Sequence, residues 1–311
     1  QIWSVCPSAS ATHRGRRLVD MALQSKIEGH QVNEVREKVR AFAEVAAAVR
    51  SDLQAADLQV SSEIAQEDAE GGDSCPAGCS QKTVYFVRHG EGVHNVAQRL
   101  WREASGYDGV SEPYTTDNDP DGKYVDAELT DCGVSQAEAL RPRTTHLGVD
   151  LLVVSPLRRA TTTGLLAFEA HVARGLPVLA HELLHETAGR HTCDRRLPRS
   201  ALAAAFPSVD YSLLLDEADP LWGDGASRES CLALARRAAA FTQWLAQRPE
   251  QRVAVATHSG FLCAMMVSVL GLGGEGAWFG TGEMRTLRLT FRSASHLPET
   301  SGQVRFGTGT A

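Results

Sequence analysis

The sequence predicts an α/β fold in which a mostly parallel sheet is flanked by helices on both faces and preceded by an N-terminal helical extension. From about residue 82 onward, short β-branched runs alternate with amphipathic segments of helical periodicity. This alternation is typical of parallel strands that are joined by helical crossovers. The predicted strands cover residues 84–87, 151–154, 253–256 and 284–291.

The predicted extension covers residues 1–80, and the main domain covers residues 81–311. Residues 31–66 contain neither Gly nor Pro, and their apolar side chains recur three and four positions apart, as in a heptad seam. The seam consists of Val32, Val35, Val39, Phe42, Ala46, Val49, Leu53, Ala56 and Val60. Because it is rich in Ala and Val rather than Leu, it favours docking on the main domain or a weak homodimer over a strong coiled coil. The acidic, glycine-bearing residues 67–74 predict a linker.

Composition narrows the classes of partner and compartment. The 311 residues carry a formal net charge of −7, which argues against nucleic acid or an anionic membrane as main partner. No apolar run is long enough for a membrane-spanning helix. Seven scattered cysteines predict no disulfide framework and a reducing, cytoplasmic setting. Residues 1–19 carry three arginines and no acid, as a transit peptide or a disordered start would, so an organellar stroma or matrix stays open.

The turn after the first predicted strand has the features of a phosphate site. Arg88 and His89 follow the strand directly, and Gly90 and Gly92 flank Glu91. Such glycines let backbone N–H groups come close to an anion, and ligand sites in open α/β sheets lie outside the carboxyl ends of strands. Taken alone, the segment could equally be a basic surface turn.

Two further strand ends supply matching side chains, Arg159 after the second predicted strand and His258 after the third. Phosphoryl transfer needs cationic donors for three equatorial oxygens, and Arg offers a planar fork that fits two of them. A neutral His can attack phosphorus and form a covalent intermediate. The leaving oxygen then needs a proton, for which Glu186 is the best candidate and Glu182 the alternative.

Four ordered segments match the motifs of a known family. They are Arg88-His89-Gly90 with Asn95, Leu129-Thr130-x-x-Gly133-x-x-Gln136-Ala137, Ser155-x-Leu157-x-Arg159-Ala160, and His258-Ser259-Gly260. On these motifs, residues 82–292 resemble the histidine phosphatase superfamily, the phosphoglycerate-mutase-like group. The resemblance implies the fold of that group and a phosphatase that needs neither metal nor cofactor.

The resemblance also implies the role of each matched residue. His89 is the nucleophile that becomes phosphohistidine, and Glu186 is the general acid and then the general base for the hydrolytic water. The residues that bind the phosphoryl group and the rest of the substrate are Arg88, Arg159, His258, Asn95, Gly90 and Ser259.

Two departures separate the chain from the mutases of this group. His94 stands where mutases usually have Trp, and no obvious Glu-Arg-x-Tyr-Gly segment is present. The Gly-x-His-Asn segment and the pattern from Glu186 to Cys193-Asp194 look more like the broad-specificity phosphatase branch. We therefore expect a hydrolase for small phosphorylated metabolites, with phosphoproteins as a second substrate class. The alternatives are a mutase and an interaction protein that uses this domain as a docking platform.

A competing motif, His-Glu-x-x-His at residues 181–185, has the form of a zinc-protease helix, with His191 as a third ligand. The metzincin pattern requires Gly at the position of Ala188, and Pro177 leaves little room for a preceding helix. These departures disfavour a zinc protease.

The remaining polar residues receive simpler interpretations. His94, His146 and His171 are expected at the surface or beside the site, without an assigned role. Arg195, Arg196 and Arg199 are expected to form a solvated face or to bind a second anionic group of the substrate. Residues 101–126 predict a polar loop over the site, and the acids between Arg102 and Glu128 predict an acidic rim that disfavours heavily phosphorylated substrates.

Overall fold

The computed structural model describes residues 17–65, 78–274 and 277–293. The strands are β1 (Leu58–Ile64), β2 (Cys79–Arg88), β3 (Leu151–Val154), β4 (Val178–Ala180), β5 (Arg252–Thr257) and β6 (Met284–Ser293). The helices are α1 (Arg17–Ala55), α2 (Val93–Glu103), α3 (Asp131–Glu138), α4 (Arg141–Thr144), α5 (Arg158–Ala167), α6 (Glu169–Val172), α7 (Arg199–Ala205), α8 (Cys231–Ala246) and α9 (Ser259–Ala264). A π-helical turn, Met265–Val269, continues α9, and 3-10 turns cover Glu182–Leu184 and Thr192–Asp194.

All six strands form one sheet in the order β1-β6-β2-β5-β3-β4. Strands β2, β5, β3 and β4 run parallel, whereas β6 is antiparallel to both β2 and β1. The carboxyl ends of the parallel strands therefore meet at one edge, and the residues that follow them converge there. The predicted α/β class with a mostly parallel sheet is confirmed.

The side chains of β2 alternate between two apolar cores, one on each face of the sheet. Val84 and Phe86 pack into the core that α1, α8 and α9 cover, and Tyr85 and Val87 pack into the core that α5 and α7 cover. All four side chains are fully buried. Strands that are apolar on both faces need helices on both faces, as the sequence predicts.

Helix α1 is docked on the first core. Phe42, Val49 and Leu53 from the predicted seam are buried there, and Ser268 Oγ donates a hydrogen bond to Phe42 O at 2.8 Å. Of the arrangements that the seam permits, the structure therefore shows docking on the main domain. A homodimer through this helix stays a prediction.

The helix predicted to run through residue 66 ends at Ala55, and this part of the prediction is wrong. Asp57 has a φ of +55°, which breaks the helix, and the next residues form β1, paired antiparallel with β6. Val60 lies opposite Phe291 in that register. The local apolar spacing suits a helix and a strand alike, so the pairing with β6 decides the outcome.

Two cysteines depart from the expectation of unpaired thiols. Cys79 and Cys132 are disulfide-bonded, whereas Cys193, Cys231 and Cys263 are free. The sequence leaves open whether Cys75 and Cys79 pair, and Cys75 lies outside the described residues. Spacing along the chain does not report which thiols a fold brings together, so it predicts no particular bond. Across the residues that the structure describes, every helix is too short or too polar to span a bilayer.

Candidate active site

The carboxyl ends of β2, β3 and β5 bring three of the predicted side chains into one cluster. His89 follows β2, Arg159 lies in the first turn of α5, and His258 follows β5. His89 N donates to Thr257 O at 3.0 Å, which ties the loop after β2 to β5. The ring centroids of His89 and His258 are 5.0 Å apart, and Arg159 Nε lies 3.4 Å from His89 Nε2. Side chains from three separate motifs thus face one another.

His89 is a buried, neutral imidazole whose Nε2 lone pair accepts a hydrogen bond from Arg159 Nε. Its Nδ1 lies 2.7 Å from Gly90 O, and because a carbonyl can only accept, we assign the ring proton to Nδ1. Burial holds the pKa of His89 well below its usual range, and the charges of Arg159 and Arg88 lower it further. Nε2 therefore carries the lone pair of the ring and faces Arg159.

Arg159 is almost completely buried, at 1% exposure, and is anchored by two hydrogen bonds. Nη1 donates to Cys193 O at 2.6 Å, and Nη2 donates to Asp194 Oδ1 at 2.7 Å. A guanidinium carries five N–H donors, so these bonds fix its plane and leave other donors for an anion.

Asp194 connects Arg159 to a second guanidinium, that of Arg228. Asp194 Oδ2 lies 2.8 Å from Arg228 Nη2. Burial alone would raise the pKa of Asp194, but Arg228 and Arg159 hold it well below its usual range. The sequence pattern predicts neither of these two contacts, because Asp194 appears in it only as the end of the segment that begins at Glu186. The signal that could have found Asp194 is charge balance, because a buried Arg159 requires a buried carboxylate.

His258 presents an unpaired ring nitrogen in the same cluster. The residue is fully buried, and its Nε2 lies 2.7 Å from Ser155 Oγ. Within the described part of the chain nothing bonds to its Nδ1. Burial, followed by Arg159 and His89, lowers the pKa of His258 well below the usual value. When the Ser155 hydroxyl donates to Nε2, Nδ1 carries the proton and can donate to a phosphoryl oxygen.

Arg88, the residue directly before His89, adds a second cation. Nη1 donates to Phe279 O at 2.6 Å, and the guanidinium lies 5.7 Å from the ring centroid of Trp278. Burial lowers the pKa of Arg88 to about 10, although the nearby carboxylate of Glu186 acts to raise it. Arg88 is therefore protonated at neutral pH and lies within electrostatic reach of Glu186.

The carboxylate of Glu186 is fixed by hydrogen bonds from two segments. Oε1 accepts from Thr187 N at 2.8 Å, and Oε2 accepts from Gly260 N at 3.1 Å and from Ser259 Oγ at 3.3 Å. A Cβ at position 260 would lie 2.2 Å from Glu186 Oε1, so only Gly permits this approach. The glycine of the fourth motif therefore makes room for the predicted general acid. Glu182, the alternative acid, is instead held by Arg196.

The second motif holds the glycine loop after β2 in place. Thr130 Oγ1 donates to Glu91 Oε1 at 2.9 Å, and Gln136 Oε1 accepts from Glu91 N at 2.8 Å. A Cβ at Gly133 would lie 2.1 Å from Glu91 O, so the start of α3 and this loop can touch only through Gly133. The motif therefore contributes geometry to the site.

Two residues near the start of α2 differ in how well the sequence anticipated them. Asn95 Oδ1 accepts from Gly92 N at 2.9 Å and caps the helix, so this oxygen is occupied, and the substrate role of Asn95 stays a prediction. His94 is buried, with its ring 5.7 Å from that of His89. Burial, followed by Arg159, lowers the pKa of His94 well below its usual value. His94 therefore lies beside the site and not at the surface, which are the two positions that the sequence allows.

The His-Glu-x-x-His segment does not form a zinc site, which corrects that alternative. Residues 182–184 form a 3-10 turn rather than the required α-helix, and each candidate ligand has another partner. His181 packs against Trp244, His185 Nε2 lies 3.1 Å from Asp219 Oδ2, and His191 Nε2 lies 2.9 Å from Glu112 Oε2. The oxygens of Glu182 and Asp219 come close to His185, but a guanidinium already bonds to Glu182 there.

That guanidinium belongs to Arg196, which corrects the expectation of a solvated face. Arg196 is buried and donates to both Glu182 oxygens, whereas Arg195 is exposed and lies over Trp222. The predicted acidic rim is also partly neutralised. Asp126 is fully buried against Arg158, and Arg158 also pairs with Glu128.

The chain is similar in sequence to known proteins. The family model of the histidine phosphatase superfamily (branch 1) matches residues 115–292, downstream of the Arg88-His89 segment. A phosphoglycerate mutase-like protein of Arabidopsis thaliana is 32% identical over 216 residues, which cover 60% of this chain and 74% of that protein. A probable phosphatase of Schizosaccharomyces pombe is 28% identical over 182 residues, with 57% and 74% covered.

Solved structures of phosphatases are also similar to the chain. The alpha-ribazole phosphatase from Shigella flexneri has 20% sequence identity and a TM-score of 0.43, and the similarity covers 66% of this chain and 89% of that chain. The mycobacterial glucosyl-3-phosphoglycerate phosphatase has 21% identity and a TM-score of 0.41, with 66% and 92% covered. The family model spans more than half of the sequence, and the chain therefore belongs to the histidine phosphatase superfamily, branch 1.

Proposed function

We propose that the chain is a phosphomonoester hydrolase that works through a covalent phosphohistidine on His89. The observation that carries the proposal is the orientation of His89, whose Nδ1 proton is held by Gly90 O while Nε2 faces the Arg159 guanidinium. A neutral nucleophile beside a fixed cation is what attack on an anionic phosphoryl group requires.

In the first step, His89 Nε2 forms a bond to phosphorus while the bond from phosphorus to the ester oxygen breaks. Glu186, in its protonated form, gives its proton to that oxygen, so the product leaves as an alcohol. In the second step, Glu186 takes a proton from water, and the resulting oxygen bonds to phosphorus as the P–N bond breaks. Phosphate leaves, and neutral His89 and protonated Glu186 are restored. Arg88, Arg159 and His258 supply donors to the phosphoryl oxygens in both steps.

A mutase is the second candidate, because a curated relative carries a mutase-like name. Hydrolysis is favoured because the sequence departs from the mutase pattern at His94, which here lies 5.7 Å from the nucleophile. The proposed substrates are small phosphorylated metabolites. Phosphoproteins remain the second substrate class, because ion pairs neutralise part of the negative charge of the predicted rim.

The test is release of inorganic phosphate from an aryl phosphate and from a panel of phosphorylated metabolites. The hydrolase predicts phosphate release that His89→Ala abolishes. A mutase predicts isomerisation of a monophosphoglycerate that needs a bisphosphate primer and yields no net phosphate. Persistence of phosphate release in His89→Ala would overturn the proposed nucleophile.

A further inference from the structure

The segment that carries Glu186 is held by a buried arginine from α8. Arg237 has 6% exposure, and its guanidinium points at the backbone of residues 183–186. Nη1 donates to Leu183 O at 2.9 Å and to His185 O at 2.5 Å, while Nη2 donates to Glu186 O at 2.9 Å. Three carbonyl groups of one buried turn are thus satisfied by a single side chain.

Glu229, which lies just before α8, bonds both to Arg237 and to the backbone that follows Glu186. Its Oε1 accepts from Arg237 Nε at 3.1 Å, and its Oε2 lies 2.6 Å from Arg237 Nη2. Oε2 also accepts from Ala188 N at 3.0 Å, and Glu229 N donates to Ala188 O at 2.9 Å. The ion pair between Arg237 and Glu229 therefore holds the backbone before and after Glu186 by hydrogen bonds.

Neither side chain forms a hydrogen bond to the carboxylate of Glu186 among the described residues. That carboxylate is bonded by Thr187 N, Ser259 Oγ and Gly260 N. The ion pair acts indirectly, because it fixes the backbone from which the Glu186 carboxylate extends. Misplacement of a reacting group by about 1 Å can lower a rate by roughly 10²-fold, so such an anchor has a measurable kinetic effect.

We propose that Arg237 and Glu229 are positioning residues for proton transfer by Glu186. The inference rests on the acid and base role of Glu186 in the proposed function. A buried ion pair is a weak source of stability compared with well-packed apolar residues, so the presence of this pair is better explained by the segment that it orients. The role predicts a specific kinetic defect, because loss of proton donation harms esters with poor leaving groups most.

The experiment measures kcat/KM over aryl phosphates whose leaving groups span a range of pKa. Arg237→Lys keeps the charge but cannot reach three carbonyls, and Glu229→Gln keeps the shape but removes the ion pair. Each variant is expected to lose about 10-fold or more on the poorest leaving group and less than about 3-fold on p-nitrophenyl phosphate. Arg236→Met is the matched control, since Arg236 is the adjacent residue of α8 and pairs only at the surface, with Asp52.

A double variant separates this inference from the proposed function. If Glu186→Gln alone steepens the dependence on the leaving group, then adding Arg237→Lys should change the slope little further, because both act on one proton transfer. Equal losses on all substrates, a slope like that of the Arg236→Met control, or losses that multiply in the double variant would each overturn the positioning role. A flat response of Glu186→Gln itself would overturn the acid role, and the positioning role with it. If Arg237→Lys does not fold, Glu229→Gln replaces it in the assay, at a temperature below the melting temperature of that variant.

Discussion

Replacing Asp194 by Asn tests whether one buried carboxylate holds the cationic side of the site together. Asp194 is 3% exposed and pairs with Arg159 at 2.7 Å and with Arg228 at 2.8 Å. Asn keeps an oxygen that can accept from one guanidinium, but its NH₂ group then faces the donors of the other. One guanidinium then loses this acceptor and its counter-charge and keeps only a backbone carbonyl, Cys193 O for Arg159 or Gly189 O for Arg228.

The expected magnitude follows from the geometry of this pair. Removing one partner of a buried ion pair costs about 3–5 kcal/mol, and because Asn keeps one hydrogen bond we take the lower end, about 3 kcal/mol. For a chain of this size, that loss lowers the melting temperature by roughly 6–10 °C. Because Arg159 also loses one of its two anchors, kcat/KM for an aryl phosphate should fall by about 10²-fold.

Thermal unfolding at neutral pH, followed by circular dichroism, measures the first effect, and phosphate release measures the second. Asp117→Asn is the matched control, because it removes the same charge from an exposed position. A melting temperature for Asp194→Asn within about 2 °C of the Asp117→Asn value would refute the account of the buried pair.

Three further outcomes are expected. Gly260→Ala places a Cβ 2.2 Å from Glu186 Oε1 and should lower kcat by at least about 10-fold. The control is Gly273→Ala, where a Cβ meets nothing within 4 Å and kcat should stay unchanged. Equal kcat values for the two variants would contradict the close approach at Gly260. Burial lowers the pKa of His181 to about 4, so the unfolded chain binds more protons between about pH 6.5 and pH 4, and stability should fall by about 3 kcal/mol as pH drops through that window. Burial also lowers the pKa of His89, His94 and His258, whereas the hydrogen bond to Asp219 outweighs burial and raises the pKa of His185, so the contribution of His181 is isolated by difference. Denaturant melts of wild type and His181→Asn at pH 7 and pH 5 give this difference, and an equal loss of stability in both proteins would contradict the prediction. Phosphate release should be unaffected by a strong chelator, and its loss would count against a site built from guanidinium and imidazole groups alone.

The sequence was most informative where function is encoded in short segments. Arg88, His89, Arg159 and His258 each follow a predicted strand, and parallel strands bring such positions to one edge of a sheet. Local pattern therefore located side chains from three segments that are distant in the chain and adjacent in the fold. The need for an acid near the leaving oxygen points to Glu186, and its carboxylate lies against the fourth motif in the structure.

The sequence was least informative where a residue matters through a distant partner. Arg228 and Arg237 lie in no recognised motif, and their partners become visible only once the loops pack. Residues 58–64 were assigned to a helix because their apolar spacing fits one, and only pairing with β6 makes them a strand. The His-Glu-x-x-His segment misleads for the same reason, since His181 and His185 turn to different neighbours.

The position of β6 has a consequence for when the enzyme can become competent. This last strand is inserted between β1 and β2, and within the described chain β1 has no other strand neighbour. The residues just before β6 also reach the proposed nucleophile, since Gly282 N donates to His89 O at 3.1 Å and Glu283 O accepts from Arg88 N at 3.0 Å. A ribosome must therefore release nearly all of the domain before the first and second strands can be joined. Pairings of such long range form slowly, so nascent chains should spend their synthesis with an open sheet edge and without turnover.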